Sequence, residues 1–448
     1  MKRVLFLAYF FPPLGGGGCQ RTLKLVRYLE PHGWRSTVVT TRDRDYWILD
    51  PTLLPEIPPS AEVLRAGGFT GGRLLHFLSR AGLLPIQESQ GERRRALFRA
   101  LRSLQGWIFF PDAYRGWSRA ACREADARIQ AGGIDALWTT SSPESAHMAG
   151  LALHEKHRIP WVADFRDPWV GRVTYRPPTK WHDAKHRAME RRVVRSADRV
   201  TLVSEAMVRL YRERYPEVDP SRFVFLPNGF DSDDWRRAAS AAEESGGHRR
   251  AGEAKEHFVL LHAGQLAHRP TVRTLLASAR RVLERDAKAR EQLRLRFMGG
   301  NEEIGPRDRE RYGLGATLEV LPSQPHLESL ASMRSAQALV LLGHGGAADA
   351  LLYTGKLYEY LSSGRPVLAI VDDGPAADLI RSTRAGVVIR PGDEESAAGA
   401  LREWLLAWRE GKDLSIHLPP RLLSAWERRE LAYRASKILS EIVAETTR

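Results

Sequence analysis

Short apolar runs alternate with helical patterns along most of this chain, and few architectures accommodate such an alternation. The runs RVLFLAYF, RSTVVTT, ALWTTSS, WVADF and RVTLVS carry apolar residues without helical spacing, as strands buried on both faces do. Between them lie helical patterns such as QRTLKLVRYLEPHG, which stops at Gly33, and SAHMAGLALHEKH. After RFVFLPNGFDSDDW the composition changes. The stretch RRAASAAEESGGHRRAGEAKEH is polar, small and charged, and reads as a loop or linker. The alternation then restarts with FVLLHAG, LRLRFMGG, LEVLPS, QALVLLG, RPVLAIV and AGVVI.

Two successive strand–helix series predict an α/β fold of two Rossmann-like lobes, residues 1–228 and 256–424. The tail RLLSAWERRELAYRASKILSEIV predicts a final helix within residues 425–448 that packs back on the first lobe. A length of 448 residues agrees, since one hydrophobic core seldom grows so large. In open parallel sheets ligands sit beyond the carboxyl ends of the strands, and in a two-lobed protein those ends can face one another across a cleft.

The composition, 43% hydrophobic and 27% charged, is that of a soluble globular protein. Two cysteines, Cys19 and Cys122, make no disulfide framework, and no Cys/His cluster suggests zinc, so a reducing, cytoplasmic setting is expected. Pro12 and Pro13 interrupt the N-terminal apolar run, which reads as a buried strand rather than a signal peptide. No run is long enough for a transmembrane helix. The net charge of +14 admits nucleic acid, an anionic membrane or anionic substrates as partners. The cations are dispersed and no nucleic-acid module is recognised, which disfavours the first. The densest stretch, GERRRALFRALRSLQGWIFF at 91–110, reads either as a basic amphipathic helix lying on an anionic membrane or as an ordinary helix burying its apolar stripe.

Several motifs carry candidate chemistry. Gly15, Gly16, Gly17 and Gly18 follow the first strand and open a helix, where unpaired N–H groups and the helix dipole suit an anion. The loop lacks a Walker lysine, and Arg21 occupies the last position of a dinucleotide fingerprint. In YTGKLYEYLSSGRPVLAIVDDGP, Lys356 falls at a helix start and Glu359 three residues later on the same face. A lysine there can hold phosphate and the carboxylate can accept two ribose hydroxyls; a surface ion pair is the alternative. In ADFRDPW, Asp164, Arg166 and Asp167 crowd a strand end, either as a local Arg–Asp network or as a site facing an acceptor.

TGKLYEYLSSGRPVLAI resembles the donor-site helix of the GT-B glycosyltransferases, in particular the large retaining family 4 group. AYFFPPLGGGGCQRTLKLVRYL, TTSSPESAHMAGLAL, WVADFRDPW, SADRVTLVSEAM, FLPNGFD and LLHAGQLAHRP resemble other segments of that family, in the same order and over nearly the whole chain. The resemblance implies transfer of a sugar from a nucleoside-diphosphate donor to an acceptor hydroxyl. It assigns Glu359 to the ribose, Arg269 and Lys356 to the diphosphate, and the glycine loop to the donor when the cleft closes. It also implies catalytic roles for Asp164, Arg166 and His147, and donor contacts from Gly264, Gly343 and His344. No metal cofactor is implied, the cations and helix dipoles standing in its place. A glycan, lipid-linked or small-molecule acceptor is expected, as in surface polysaccharide or glycolipid assembly. One departure is plain: where many members carry a glutamate eight positions before the ribose glutamate, this chain has Leu351. A non-catalytic subunit and a nucleotide-sugar 2-epimerase share the fold.

Overall fold

The computed structural model describes the chain outside residues 43–48, 69, 71–106, 108, 173–174, 245–255, 267–269, 300–303, 347–348, 352–354 and 447–448. The basic stretch at 91–110, apart from Trp107, Phe109 and Phe110, and Arg269 therefore lie outside the described residues. The chain divides into two compact units, one of residues 1–227 with 428–448 and one of residues 228–427.

The first unit is built on seven strands: β1 (Lys2–Leu7), β2 (Trp34–Thr41), β3 (Glu62–Ala66), β4 (Ala136–Ser141), β5 (Trp161–Phe165), β6 (Arg199–Leu202) and β7 (Phe223–Phe225). They pair in the order β3-β2-β1-β4-β5-β6-β7, every pair parallel. Its principal helices are α1 (Gly17–Tyr28), α2 (Arg115–Gln130), α3 (Ser145–His157), α4 (Lys180–Ser196) and α5 (Glu205–Arg214). β4 and β5 are buried at every residue, as helices on both faces of a parallel sheet require.

The second unit holds β8 (Phe258–Ala263), β9 (Leu293–Met298), β10 (Leu318–Leu321), β11 (Ala338–Leu342), β12 (Val367–Ile370) and β13 (Gly386–Ile389). Their order is β10-β9-β8-β11-β12-β13, again all parallel. Its principal helices are α6 (Ser232–Glu244), α7 (Val272–Arg285), α8 (His326–Ser335), α9 (Gly355–Ser362), α10 (Pro375–Thr383) and α11 (Glu394–Arg409).

A last helix, α12 (Arg428–Thr446), belongs to the first unit. Its Leu431, Ala435, Ile438, Leu439 and Ile442 form one apolar stripe and join the core of α1 and β1 through Leu23, Val26 and Val4. The expectation of a loop or linker from residue 236 needs correction over residues 236–244. Residues 232–244 form α6, because Asp233 and Asp234 favour a helix start and Trp235 and Ala238 bury into the second core.

Candidate functional site

In each sheet the strand order reverses beside the first strand of the unit, between β1 and β4 and between β8 and β11. Loops leaving the two strands diverge there, opening a crevice at the carboxyl edge. The candidate residues gather at these two edges, each within its own unit.

In the first unit, Gly16 precedes α1 with φ 84°, a conformation that glycine adopts without strain. Gly16 and Gly17 are exposed, α1 has no acidic residue in its first turn, and no side chain caps it. Such a helix start suits an anion. At Gly18 the close approach comes from within the unit: a Cβ there would lie 2.7 Å from Arg166 Nη1. Arg166 donates to the carbonyls of Gly18 at 2.8 Å and Ser142 at 3.0 Å, and to that of Ser141. Its guanidinium also covers the Phe10 ring at 5.7 Å. Arg166 thus latches the loops after β1, β4 and β5 together.

Asp164 requires a correction. Its side chain is fully buried at the end of β5. Arg21 grips it bidentately, Nε to Oδ2 at 2.9 Å and Nη2 to Oδ1 at 2.7 Å. Thr140 donates to Oδ2 at 2.9 Å and Thr201 to Oδ1 at 2.7 Å. Four donors on two oxygens leave no lone pair for an acceptor hydroxyl. Burial alone would raise this carboxyl, but the charge of Arg21 and the hydrogen bonds from Arg21, Thr201 and Thr140 hold it below the usual aspartate value. Arg21 also donates to the carbonyls of Pro227 and Leu226, at 2.8 and 2.9 Å, tying α1 to the segment after β7. An Arg–Asp network does exist, with Arg21 as its arginine rather than Arg166.

His147 is equally enclosed. Its Nδ1 lies 2.7 Å from Thr139 Oγ1, which also accepts from Trp161 Nε1 at 2.9 Å, and its ring packs on Phe165 at 4.3 Å. Burial drives its pKa down to about 3, with Arg166 adding and Asp164 opposing, so the ring is neutral near pH 7. The ring is fully buried, and its Nε2 has no hydrogen-bond partner among the described residues, so it is held in the core rather than open to solvent. The sequence reading missed Asp112, Glu144 and Arg172 nearby. Asp112 accepts from Ser145 N at 2.7 Å and Tyr114 N at 2.8 Å, and burial next to Glu144 pushes its pKa to about 6. Arg172 pairs with Glu144.

The second edge is built differently. Gly264 follows β8 with φ 122°, and a Cβ there would stand 1.1 Å from Lys356 Nζ. The lysine at the start of α9 therefore lies directly over glycine backbone. Gly299, after β9, packs on the same backbone: a Cβ there would meet Gly264 C at 2.5 Å. Glu359, one turn into α9, is half-buried, with Oε1 3.8 Å from His326 Nε2; that nitrogen is 3.4 Å from Asp234 Oδ2. Neither His326 nor Asp234 was anticipated.

The loop after β11 is organised by Asp349. Its carboxylate accepts from the backbone N–H of His344 at 2.8 Å, Gly345 at 3.2 Å and Asp372 at 3.1 Å. A Cβ at Gly343 would lie 2.1 Å from Asp349 Oδ2, so only glycine fits. Gly343 N donates to Ile370 O at 2.9 Å, and its carbonyl accepts from Thr271 Oγ1 at 2.7 Å. Gly264, Gly343, His344, Lys356 and the strand ends are thus brought together at one switch point.

Residues 16–229 match the Glycosyl transferase 4-like domain, and residues 247–415 match Glycosyl transferases group 1. The chain belongs to the GT-B glycosyltransferases of the family 4-like type. D-inositol 3-phosphate glycosyltransferase of Geodermatophilus obscurus is 28% identical to this GT-B chain over 267 residues, 58% of the chain and 54% of that protein. The match thus spans about half the length of that curated relative. Among solved structures, sucrose-phosphate synthase from Thermosynechococcus elongatus superposes with TM-score 0.64 at 16% identity, covering 99% of this chain and all (100%) of that one. Anabaena HepE in complex with UDP and glucose superposes with TM-score 0.63 at 14% identity, covering 98% and 100%. These likenesses establish the two-lobe GT-B fold. Among the described residues no helix is long and apolar enough to cross a membrane.

Proposed function

We propose that this protein transfers a sugar from a nucleoside-diphosphate donor to an acceptor hydroxyl, with retention of configuration at the anomeric carbon. The observation that carries this reading is Lys356 Nζ lying over Gly264 at the β8/β11 switch point. A cation there, at the start of a helix and against bare backbone, suits a diphosphate. Glu359, one turn along α9, accepts the ribose hydroxyls, and Arg269 adds a second cation. These groups stabilise the leaving diphosphate as its charge develops, in place of a metal ion. The leaving phosphate takes the acceptor proton on the same face, so no protein nucleophile is required. The Anabaena relative solved with UDP and with UDP-glucose makes UDP the first base to try. The transferred group is a hexosyl or N-acetylhexosaminyl unit, and the acceptor a glycan or lipid-linked glycan of the cell surface.

Calorimetry with UDP, GDP, dTDP and CMP, on the wild type and on Glu359→Ala, tests the donor site. Loss of a charged hydrogen-bond partner costs about 1.5–3 kcal/mol, or one to two decades of affinity. If none of the four binds, the reading fails. A second reading, a nucleotide-binding subunit without turnover, is favoured by Leu351 at the position of the missing glutamate. Nucleotide binding without release of diphosphate from any nucleotide-sugar would select it. The anomeric configuration of the product, read by NMR, tests retention.

A further inference from the structure

Trp181, in the first turn of α4, is 60% exposed, and Trp107 is 54% exposed. They flank one aromatic cluster. His182 lies 5.3 Å from Trp107 and 4.9 Å from Trp181, and Phe110 lies 6.2 Å from Trp181 and 4.6 Å from His186. The inner side of the cluster is fixed to the core, because buried Trp169 donates from Nε1 to His186 Nδ1 at 2.9 Å. Two indoles are therefore held on a firm base yet left in water.

Cations surround them. Arg176, Lys180, Lys185 and Arg187 are all exposed, and Lys185 Nζ stands 5.6 Å over the Trp181 ring. The one acid between residues 176 and 187 is Asp183. Its carboxylate already accepts from Tyr175 Oη at 2.7 Å and Arg187 Nε at 2.8 Å. The exposed side of α4 continues in Arg191, Arg192 and Arg195.

We propose that this patch docks the protein on an anionic membrane surface, with Trp107 and Trp181 in the headgroup layer and the cations against lipid phosphate. Indole rings suit that layer because they join a large apolar face to one N–H donor. Lysine and arginine stems lie along the apolar boundary and keep their charge at the phosphates. Each such cation near an anionic leaflet strengthens binding by about fivefold. A symmetric contact with a second copy would set the same four cations against themselves, which opposes dimerisation through this face. Single-stranded nucleic acid is less suited: His182 meets both indoles edge-on, at 75° and 86°, so the cluster is not a flat platform for stacked bases. The inference does not depend on sugar transfer.

The test is co-sedimentation of the full chain with vesicles of phosphatidylcholine alone or mixed in equal parts with phosphatidylglycerol. The wild type is expected to sediment with the anionic vesicles and to remain in solution with the neutral ones. Trp107→Ser with Trp181→Ser, and separately Lys180→Glu with Lys185→Glu, should each lower partition roughly tenfold or more, as should high salt for the wild type. Both variants should melt with the wild type, since they alter exposed side chains. A wild type that ignores anionic vesicles, or either variant binding them unchanged, overturns the proposal. So does self-association, or binding of a single-stranded oligonucleotide, that the tryptophan pair abolishes while vesicle binding survives.

Discussion

Replacing Asp164 by asparagine distinguishes a carboxylate that holds the fold from one that acts on substrate. In the protein this carboxylate balances Arg21, which is 2% exposed. Asparagine has nearly the same volume, so no cavity forms. It withdraws the negative charge and turns an N–H₂ group toward positions now filled by donors. Removing one partner of a buried pair costs about 3–5 kcal/mol, because the other charge stays buried and uncompensated. For a unit of this size that corresponds to a fall of roughly 10 °C in melting temperature.

Thermal unfolding followed by circular dichroism is the assay, and two units can unfold in two steps. The first-unit transition should fall, and the second should not move. The double variant Arg21→Met with Asp164→Leu should be less damaged than Asp164→Asn, since it leaves no charge orphaned. The pair also sets an acid limit. A carboxyl held below its ordinary value of 3.8 contributes stability above that pH and loses it as pH falls through the lower folded value. If Asp164→Asn melts with the wild type and instead abolishes turnover, the structural reading is refuted and the carboxylate acts on substrate.

Gly264→Ala puts a side chain at φ 122°, which should cost second-unit stability about 1–3 kcal/mol, and it should also weaken nucleoside-diphosphate binding in calorimetry by displacing Lys356 Nζ. Gly299→Ala should instead unfold the second unit early, since its Cβ would meet backbone, which cannot move aside. His147 has a folded pKa of about 3 against 6.5 unfolded, so the unfolded chain binds the extra proton between those values and stability falls as pH falls through that window. Melting curves of His147→Leu should show a shallower slope from pH 6 to about 4 than those of the wild type. Asp349→Ala strands three backbone amides and should cost about 1–3 kcal/mol in second-unit stability by urea titration.

Strand positions were legible because a strand buried on both faces carries apolar residues without helical spacing, wholly so in β11 and in most positions of β5. Strand ends were legible with them, so Gly264 and Gly343 could be placed just after a strand, whereas the strand order that puts them at a switch point was not legible. Partners were not. Arg21 and Asp164 stand 143 positions apart, and only the parallel order β1-β4-β5 brings them together. A signal was present even so: a charged residue inside an otherwise buried helix face, where the dinucleotide fingerprint expects glycine, must find a counter-ion. Helix α6 was read as linker because its small and charged residues outnumber its anchors, and Trp235 alone supplies a large apolar contact.

Asp164, a candidate in the sequence, and Asp349, which the sequence did not single out, are both consumed by their own scaffolds. One neutralises a buried arginine, and the other gathers backbone amides into the loop that Gly343 begins. The oxygens of Asp349 are taken up by the backbone amides of His344, Gly345 and Asp372. Glu359, one turn after Lys356 on α9, is only partly buried and lies 3.8 Å from His326 Nε2. Within the first unit, Asp167 is half-buried, with its pKa raised by burial against the pull of Arg166 and Arg172, and with no hydrogen bond to its side chain among the described residues. Acids that can be located by rule at strand ends are those the fold most needs to neutralise, so a ligand meets the acids that the scaffold leaves unclaimed.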